Sequence, residues 1–132
     1  MAIIPEKYLD LLQQKKAFAA LATVMPDGSP QVTPVWFDYK DGVVRVNTAK
    51  GRVKARNLKE GAAVALAIVD PDNPYRYVQV RGRVGRGTEA GAVAHIDSLA
   101  KKYLGQDKYT IGRPGEVRVM YDILPTSASG NA

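Results

Sequence analysis

The sequence has no cysteine and a single histidine, and both shortages limit the chemistry of its side chains. Without cysteine, the chain forms no disulfide and offers neither a thiolate nucleophile nor a cysteine ligand for zinc. One histidine, His95, cannot supply the clusters typical of metal sites, and nothing in the sequence places a serine nucleophile beside it. His95 follows helical spacing among polar neighbours, which predicts a surface position.

Long apolar runs and nucleotide-binding loops are also missing. No stretch approaches the roughly 18 apolar residues of a membrane-spanning helix, and the first residues, MAIIPEKYLDLL, lack the basic and apolar regions of a signal peptide. We therefore expect a cytoplasmic protein. The chain has neither a GxxxxGKS phosphate loop nor a GxGxxG motif at a strand-to-helix turn. If the protein is an enzyme, a bound cofactor is the expected source of its chemistry.

What the sequence does contain is an ordinary globular composition with an excess of positive charge. Its 132 residues are 45% hydrophobic and 24% charged, which suits one domain over residues 1–132. The formal net charge is +6. Such a charge favours anionic partners, but it does not choose among nucleic acid, phosphate-bearing cofactors and acidic surfaces.

Turn signals separate apolar segments that have the character of strands. Asp41-Gly42 supplies the positive φ angles of a tight hairpin, and Pro34 places its strand at an edge or a bulge. The fold class predicted is mainly β (α+β), an antiparallel six-stranded barrel with peripheral helices. The six predicted strands cover residues 17–25, 31–39, 43–48, 63–70, 75–87 and 116–124.

Three helices are predicted by apolar spacing and by their boundary residues. They lie within residues 1–15, over about 52–60 and over 88–105. The tail, residues 125–132, is small and polar, and we expect it to be frayed.

The most basic segment is NTAKGRVKARNLKEG, residues 47–61. On a helix, Arg52, Arg56 and Lys59 fall near one face, and a helix beginning near Gly51 would present backbone N–H groups and a positive dipole end. With the cations and the polar groups that precede the helix, this segment is a plausible phosphate pocket. A solvated basic face explains the spacing equally well. Nucleic acid is an unlikely partner, because the segment has no aromatic residue for stacking.

The order of three longer stretches resembles the split β-barrel flavin/deazaflavin oxidoreductases, the superfamily of pyridoxamine-phosphate oxidase. These stretches are LATVMPDGSPQVTPVWFDYKDGVVRVNTAKGRVKARNL, VALAIVDPDNPYRYVQVRGRV and VRVMYDILP. Within the superfamily, the chain is most similar to actinobacterial reductases that use coenzyme F420, a deazaflavin with a phosphate and an oligoglutamate tail. The resemblance runs from about Phe18 to Leu124 and implies a split β-barrel.

The resemblance also implies which residues bind the cofactor. In this family the strand equivalent to QVTPVWF runs beside the tricyclic ring, and the NTAKG turn with the start of the basic helix holds the phosphate. The ring would be lined by Gln31, Thr33, Pro34 and Val35. The phosphate would be held by Asn47, Thr48, Lys50, Gly51 and Lys54, with Arg52 and Arg56 contributing less directly. Tyr77 begins a strand whose counterpart passes near the site, whereas Trp36 is interpreted as core packing.

The activity implied is hydride transfer from reduced coenzyme F420 to an electron-poor small-molecule acceptor. Family members are generally homodimers, so we expect a homodimer here. Neither a catalytic side chain nor a metal site is predicted. Two alternatives stay open: an FMN-dependent oxidase or reductase on the same fold, and a protein that binds the cofactor without turnover. Pyridoxamine-phosphate oxidation is not expected, because the arginine-histidine substrate motif near the C-terminus is missing.

Overall fold

The computed structural model describes residues 3–131 and contains one antiparallel sheet, curled into a half-barrel. Its strands follow the order β2-β1-β5-β6-β7-β4-β3. The predicted fold class is confirmed, but the number of strands is seven rather than six. The strands are β1 (Ala19–Val24), β2 (Pro30–Val35), β3 (Phe37–Lys40), β4 (Val43–Ala49), β5 (Ala63–Asp70), β6 (Asn73–Thr88) and β7 (Arg118–Gly130).

The additional strand arises because the predicted strand 31–39 is interrupted at Trp36. Its first half, β2, pairs with β1, and its second half, β3, pairs with β4. These partners belong to opposite ends of the sheet, so the chain passes from one edge to the other across a single residue. Pro34 lies in β2 and therefore on an edge strand, as predicted, where its missing N–H costs no ladder hydrogen bond.

Glycines allow β6 to bend as it pairs with β5 on one side and with β7 on the other. The register between β6 and β7 shifts at Arg81/Gly82 and again between Val84 and Gly87. A methyl group at Gly82 would overlap the backbone carbonyl of Leu124. The strand therefore bends at these glycines, and their lack of a side chain lets β6 and β7 approach closely.

The core fills the concave side of the sheet and is closed by the N-terminal segment. A short 3-10 turn, Glu6–Tyr8, leads into α1 (Leu9–Gln13), and Leu11 and Leu12 of this helix are fully buried. The predicted N-terminal helix is thus confirmed in its central part, while residues 1 and 2 lie outside the described residues. Further core side chains include Phe37, Leu21, Leu66, Ile68, Val44, Val46 and Ile123.

The tail prediction is wrong for residues 125–130, because β7 continues to Gly130. Gly130 pairs with Val78 on β6, and a side chain at this glycine would collide with Tyr8. The Asn131 side chain accepts a hydrogen bond from Tyr77 N at 2.9 Å. Small, polar residues are ordered here because the open edge of β6 supplies their backbone partners. Residue 132 lies outside the described part of the chain.

Two further helices flank the sheet. The helix α2 (Val53–Asn57) is shorter than the predicted range 52–60, and α3 (Ala92–Leu104) ends at Gly105, which has a left-handed φ of 71°. The apolar side of α3 packs toward β4 and β7. His95 lies on that side and is 5% exposed, so the predicted surface position is wrong. The neighbours that bury it come from the distant strands β3 and β4.

Candidate functional site

A cavity of about 460 Å³ opens where the two edges of the sheet meet. Its walls come from the β2–β3 junction, the start of α2, helix α3 and the connection that leads into β7. This volume lies within the range of small-molecule sites. The lining residues are Phe18, Pro34, Val35, Trp36, Asn47, Arg52, Lys54, Ile96, Tyr109, Ile111 and Arg118.

One wall of this cavity is cationic and consists of Arg52, Lys54 and Arg118. Arg118 donates to Glu116 Oε1 from Nη1 at 2.6 Å, and Arg52 donates to Glu116 Oε2 at 3.2 Å. Burial opposes the charge on Glu116, but the hydrogen bond and charge of Arg118, together with the backbone of Arg113 and the charge of Arg52, prevail and lower the pKa of the carboxyl. Two of the three cations therefore share one carboxylate, and the wall as a whole carries an excess of two positive charges.

Lys54 carries most of this imbalance. Its ammonium group lies 3.4 Å from Thr33 Oγ1, and within residues 3–131 no carboxylate pairs with it. Burial, followed by the positive charges of Arg52 and Arg118, lowers the pKa of Lys54. An anion placed among these groups would reverse the effect, because an opposite charge favours the protonated amine.

A second part of the cavity lining is aromatic and packs against Tyr103. The Trp36 ring stacks on Tyr103 with centroids 5.2 Å apart, and Phe18 stacks on Tyr103 at 5.4 Å. Tyr109 meets Trp36 edge-on at 6.0 Å. The Tyr103 hydroxyl donates to Ala17 O at 2.6 Å, and burial raises the pKa of Tyr103 to about 12. Trp36 is only half-buried and lines the cavity, so its interpretation as core packing is wrong.

A buried polar chain stands behind the cavity. The Asn47 amide donates from Nδ2 to Ala92 O at 2.8 Å and lies 3.1 Å from His95 Nδ1. His95 Nε2 is 3.3 Å from Asp38 Oδ2, within ion-pair distance but outside hydrogen-bond geometry. Asp38 also receives two hydrogen bonds from Arg45. Burial opposes ionisation of Asp38, but its contacts with His95 and Arg45 prevail and lower its pKa to about 2.

Three side chains fasten α2, and with it Lys54, to the first hairpin. Asn57 Nδ2 donates to Thr23 Oγ1 at 3.0 Å, and Thr23 donates to Gln31 Oε1 at 2.7 Å. Thr23 and Asn57 are both buried. Gln31, predicted to line the ring, is therefore committed to this structural contact.

The predicted cofactor residues separate into two groups. Pro34, Val35, Asn47 and Lys54 line the cavity, together with Arg52, and Thr33 lies beside Lys54. Gln31, Thr48, Lys50, Gly51, Arg56 and Tyr77 are not among the lining residues. The assignment of these residues to cofactor binding stays a prediction.

For two of the non-lining residues, Thr48 and Lys50, the structure shows a local reason for their position. Thr48 lies on the same side of β4 as the buried residues Val44 and Val46, because side chains two residues apart on a strand point the same way. Asn47 therefore points to the opposite side. Its hydroxyl is buried without a hydrogen-bond partner within residues 3–131. Lys50 is exposed and pairs with Glu89 at 2.8 Å, which raises the pKa of Lys50.

Several residues that line the cavity are not predicted as site residues from the sequence. Arg118 begins the last strand, far from the basic segment, and reaches the cavity because β7 pairs with β4. Tyr109 and Ile111 belong to the irregular connection after α3. No periodicity marks these residues. Arg118 lies between the apolar residues Val117 and Val119, and this is a local signal that could have identified it.

Within residues 3–131, no helix is long and apolar enough to cross a membrane. The same residues contain no group of three or more histidine, cysteine, aspartate or glutamate side chains that could hold a metal ion.

The model of one protein family, described as pyridoxamine 5'-phosphate oxidase, matches residues 4–123. The chain belongs to this family. No curated protein sequence matches it at a significant level. Among solved structures, an F420 reductase is 38% identical with a TM-score of 0.82, covering 96% of this chain and 98% of that one.

More distant structures share the fold of the pyridoxamine 5'-phosphate oxidase family alone. A putative pyridoxamine 5'-phosphate oxidase from Listeria innocua is 16% identical, with a TM-score of 0.70 and 95% of both chains covered. An FAD and heme binding protein from Mycobacterium smegmatis is 17% identical, with a TM-score of 0.69, covering 98% of this chain and 71% of that one.

Proposed function

We propose that this protein is an oxidoreductase that uses coenzyme F420 to reduce an electron-poor small-molecule acceptor. The observation that carries the proposal is Lys54, a half-buried cation that lies beside Arg52 and Arg118 and has no carboxylate partner within residues 3–131. Such a group is costly in the free protein and becomes favourable once an anion binds. The 38% identity to an F420 reductase over nearly the whole chain supports the choice of anion.

The residues of the cavity fit the parts of this cofactor. Lys54, Arg52 and Arg118 offer charge-assisted hydrogen bonds to a phosphate and to the carboxylates of an oligoglutamate tail. The β2 edge at Pro34 and Val35 offers an apolar surface with free backbone groups for a flat ring. FMN carries a phosphate but no glutamate tail, and so makes less use of three cations.

The chain's contribution to the reaction is binding, orientation and electrostatics. When bound, the reduced deazaflavin supplies the hydride. The aromatic wall of Trp36, Tyr109 and Phe18 provides a flat apolar surface on which an acceptor can be held against the ring. The cations on the other wall stabilise negative charge that develops during the transfer.

A homodimer is part of the proposal. The outer surface of β1, β2 and β5 is apolar and exposed, with Val24, Val32 and Val69 all pointing outward. Phe18 and Ile111 at the mouth of the cavity are also exposed. A second copy that covers this surface would bury these side chains and close the cavity from solvent. Sedimentation equilibrium would test this, since a protein that is monomeric at micromolar concentration would remove the dimer from the proposal.

The test of the cofactor is a fluorescence titration with oxidised coenzyme F420 beside FMN at matched ionic strength. We expect tighter binding of F420, and its affinity should fall as salt is added because the contacts are ionic. Consumption of reduced F420 is then measured with a panel of quinones and conjugated carbonyl compounds. Preference for FMN would move the protein to the flavin-dependent alternative. Tight binding of F420 without consumption by any acceptor would favour the non-catalytic alternative.

A further inference from the structure

The buried position of His95 has a consequence for the cationic wall. Its imidazole lies between two polar groups, with Nδ1 facing the Asn47 amide nitrogen at 3.1 Å and Nε2 facing Asp38 at 3.3 Å. The ring does not line the cavity. Of its two polar neighbours, Asn47 lines the cavity and Asp38 does not, so Asn47 is the direct link between His95 and a ligand.

The contact with Arg118 fixes the orientation of the Asn47 amide, that is, which side its oxygen and its nitrogen face. The guanidinium only donates hydrogen bonds, and its Nε lies 2.9 Å from Asn47 Oδ1. The amide nitrogen must then face the other way, toward Ala92 O and His95. An amide nitrogen donates, so His95 Nδ1 has to accept. The ring proton consequently resides on Nε2, next to the Asp38 carboxylate, where a proton is electrostatically favoured.

The remaining contacts show what this arrangement achieves for Arg118. Its Nε is held by Asn47 and its Nη1 by Glu116, while the Tyr109 ring lies 5.0 Å from Cζ. No protein acceptor within residues 3–131 is bonded to Nη2. Two of the three guanidinium nitrogens are thus held, and the third, Nη2, is available to a ligand in the cavity.

We propose that His95, as the Nε2–H tautomer, is a positioning residue that holds the Asn47 amide against Arg118 and so orients the guanidinium for an anionic ligand. This inference rests on the proposed function for the nature of the ligand, whereas the tautomer and the orientation belong to the free protein. Without an acceptor at the Nδ1 position, the amide loses a partner that keeps its oxygen on Arg118. The guanidinium then turns more freely and binds an anion less well.

The first test needs no ligand. Because His95 is the single histidine in the chain, its two ring nitrogens can be assigned without ambiguity in a long-range ¹⁵N–¹H spectrum of the wild-type protein. At neutral pH we expect an unprotonated Nδ1 and a protonated Nε2, together with a sharp, slowly exchanging Arg118 Nε–H signal. A proton on Nδ1, in either the other tautomer or the imidazolium, would overturn the proposal.

The second test compares two amides at position 95. In His95→Asn the new amide oxygen lies near the position of Nδ1 and still accepts a hydrogen bond from Asn47. In His95→Gln the longer side chain reaches toward Asp38, so no acceptor remains at the Nδ1 position. We expect His95→Gln to weaken binding of oxidised F420 about tenfold and to broaden the Arg118 Nε–H signal. His95→Asn should stay within about threefold of wild type. Equal losses in both variants, with both still folded by thermal unfolding, would contradict a role through the Asn47 acceptor.

The third test asks whether the effect passes through Arg118. His95→Gln combined with Arg118→Met should bind F420 within about twofold of Arg118→Met alone, because the group that His95 positions is gone. A further tenfold loss in the combined variant would overturn the proposal. If wild type does not bind F420, the proposed function fails, while the nitrogen spectrum and the Arg118 signal still decide the role of His95.

Discussion

Two lysines in this protein show opposite responses to their surroundings. Lys15 lies 2.8 Å from Asp70 and 2.9 Å from Asp72, and its pKa is raised, mainly by the hydrogen bond with Asp70. Lys54 has no carboxylate partner within residues 3–131, and burial and neighbouring arginines lower its pKa. The same side chain is thus satisfied in one region and unsatisfied in the other.

The surroundings of Lys15 form an ionic cluster in which each cation is paired with carboxylates. Arg76 pairs with Asp10 at 2.6 Å and with Asp70 at 2.9 Å, so two cations meet three carboxylates. These contacts tie the N-terminal helix to the β5–β6 hairpin. Paired charges of this kind hold segments together, whereas the charge of Lys54, which has no carboxylate partner within residues 3–131, is directed at a cavity. The difference teaches that the pairing of charges, more than their density, distinguishes a structural cluster from a binding site.

The largest effect is expected from Lys54→Met. Loss of a charge-assisted hydrogen bond, about 1.5–3 kcal/mol, should weaken F420 binding roughly 10- to 150-fold. The same change should leave the Tm equal to or above that of wild type, because it removes repulsion from Arg52 and Arg118. Titration and thermal unfolding measure the two quantities. A lower Tm with unchanged affinity for F420 would show that Lys54 stabilises the fold rather than binds the cofactor, as is expected of Lys15.

The ionic cluster around Lys15 should be destabilised by acid. The ordinary pKa of Asp70 is 3.8, and its hydrogen bond with Lys15 lowers the pKa in the folded protein. The associated stability is therefore present above about pH 4 and is lost as the pH falls through the folded-state pKa. In Asp70→Asn the Tm should be lower at pH 7, and its further decline below pH 4 should be shallower than in wild type. Parallel curves of Tm against pH for the two proteins would contradict this.

Lys15→Met is the matched control for Lys54→Met, because it makes the same substitution in the ionic cluster, where the lysine is paired with carboxylates. Asp72 and one contact of Asp70 lose their partner, so the Tm should fall by a few degrees. Affinity for F420 should stay within about twofold, since Lys15 is not a lining residue of the cavity. An affinity loss comparable with that of Lys54→Met would indicate that general charge, rather than local geometry, governs binding.

The smallest effect is expected from Lys50→Ala, and it separates two interpretations of the basic segment. The resemblance assigns Lys50 to the phosphate, which predicts that binding weakens roughly 10- to 150-fold. Its exposed pairing with Glu89 predicts a loss of at most about fivefold. Titration of Lys50→Ala at low salt decides between them. A large loss would show that Lys50 exchanges Glu89 for the ligand.

Local signals explain which features could be predicted from the sequence. Asp41 and Gly42 both have positive φ, 54° and 79°, because only such residues make that hairpin turn. Pro34 indicated an edge strand for the equally local reason that it cannot donate a hydrogen bond. Lys54 and Asn47 entered the candidate site through short stretches that resemble a known family. All of these depend on neighbours within a few residues in the chain.

The errors have a different origin. His95 was expected at the surface because helical spacing shows neighbours along the helix, not the strands that cover it. The tail was expected to fray because its small residues have no hydrophobic drive, yet the open edge of β6 pairs with it. Trp36 was assigned to the core because a single predicted strand hid the break at which the sheet closes.

The sequence by itself therefore determined the class of fold, the turns and the supply of cations, since these follow from backbone preferences and composition. The tertiary structure decided which cations share a carboxylate and which do not. Lys50, Lys54 and Arg52 are close in sequence, but only folding brings Glu89 to the first, Arg118 to the second and Glu116 to the third. Electrostatic energy depends on distance and burial, and both are properties of the folded chain.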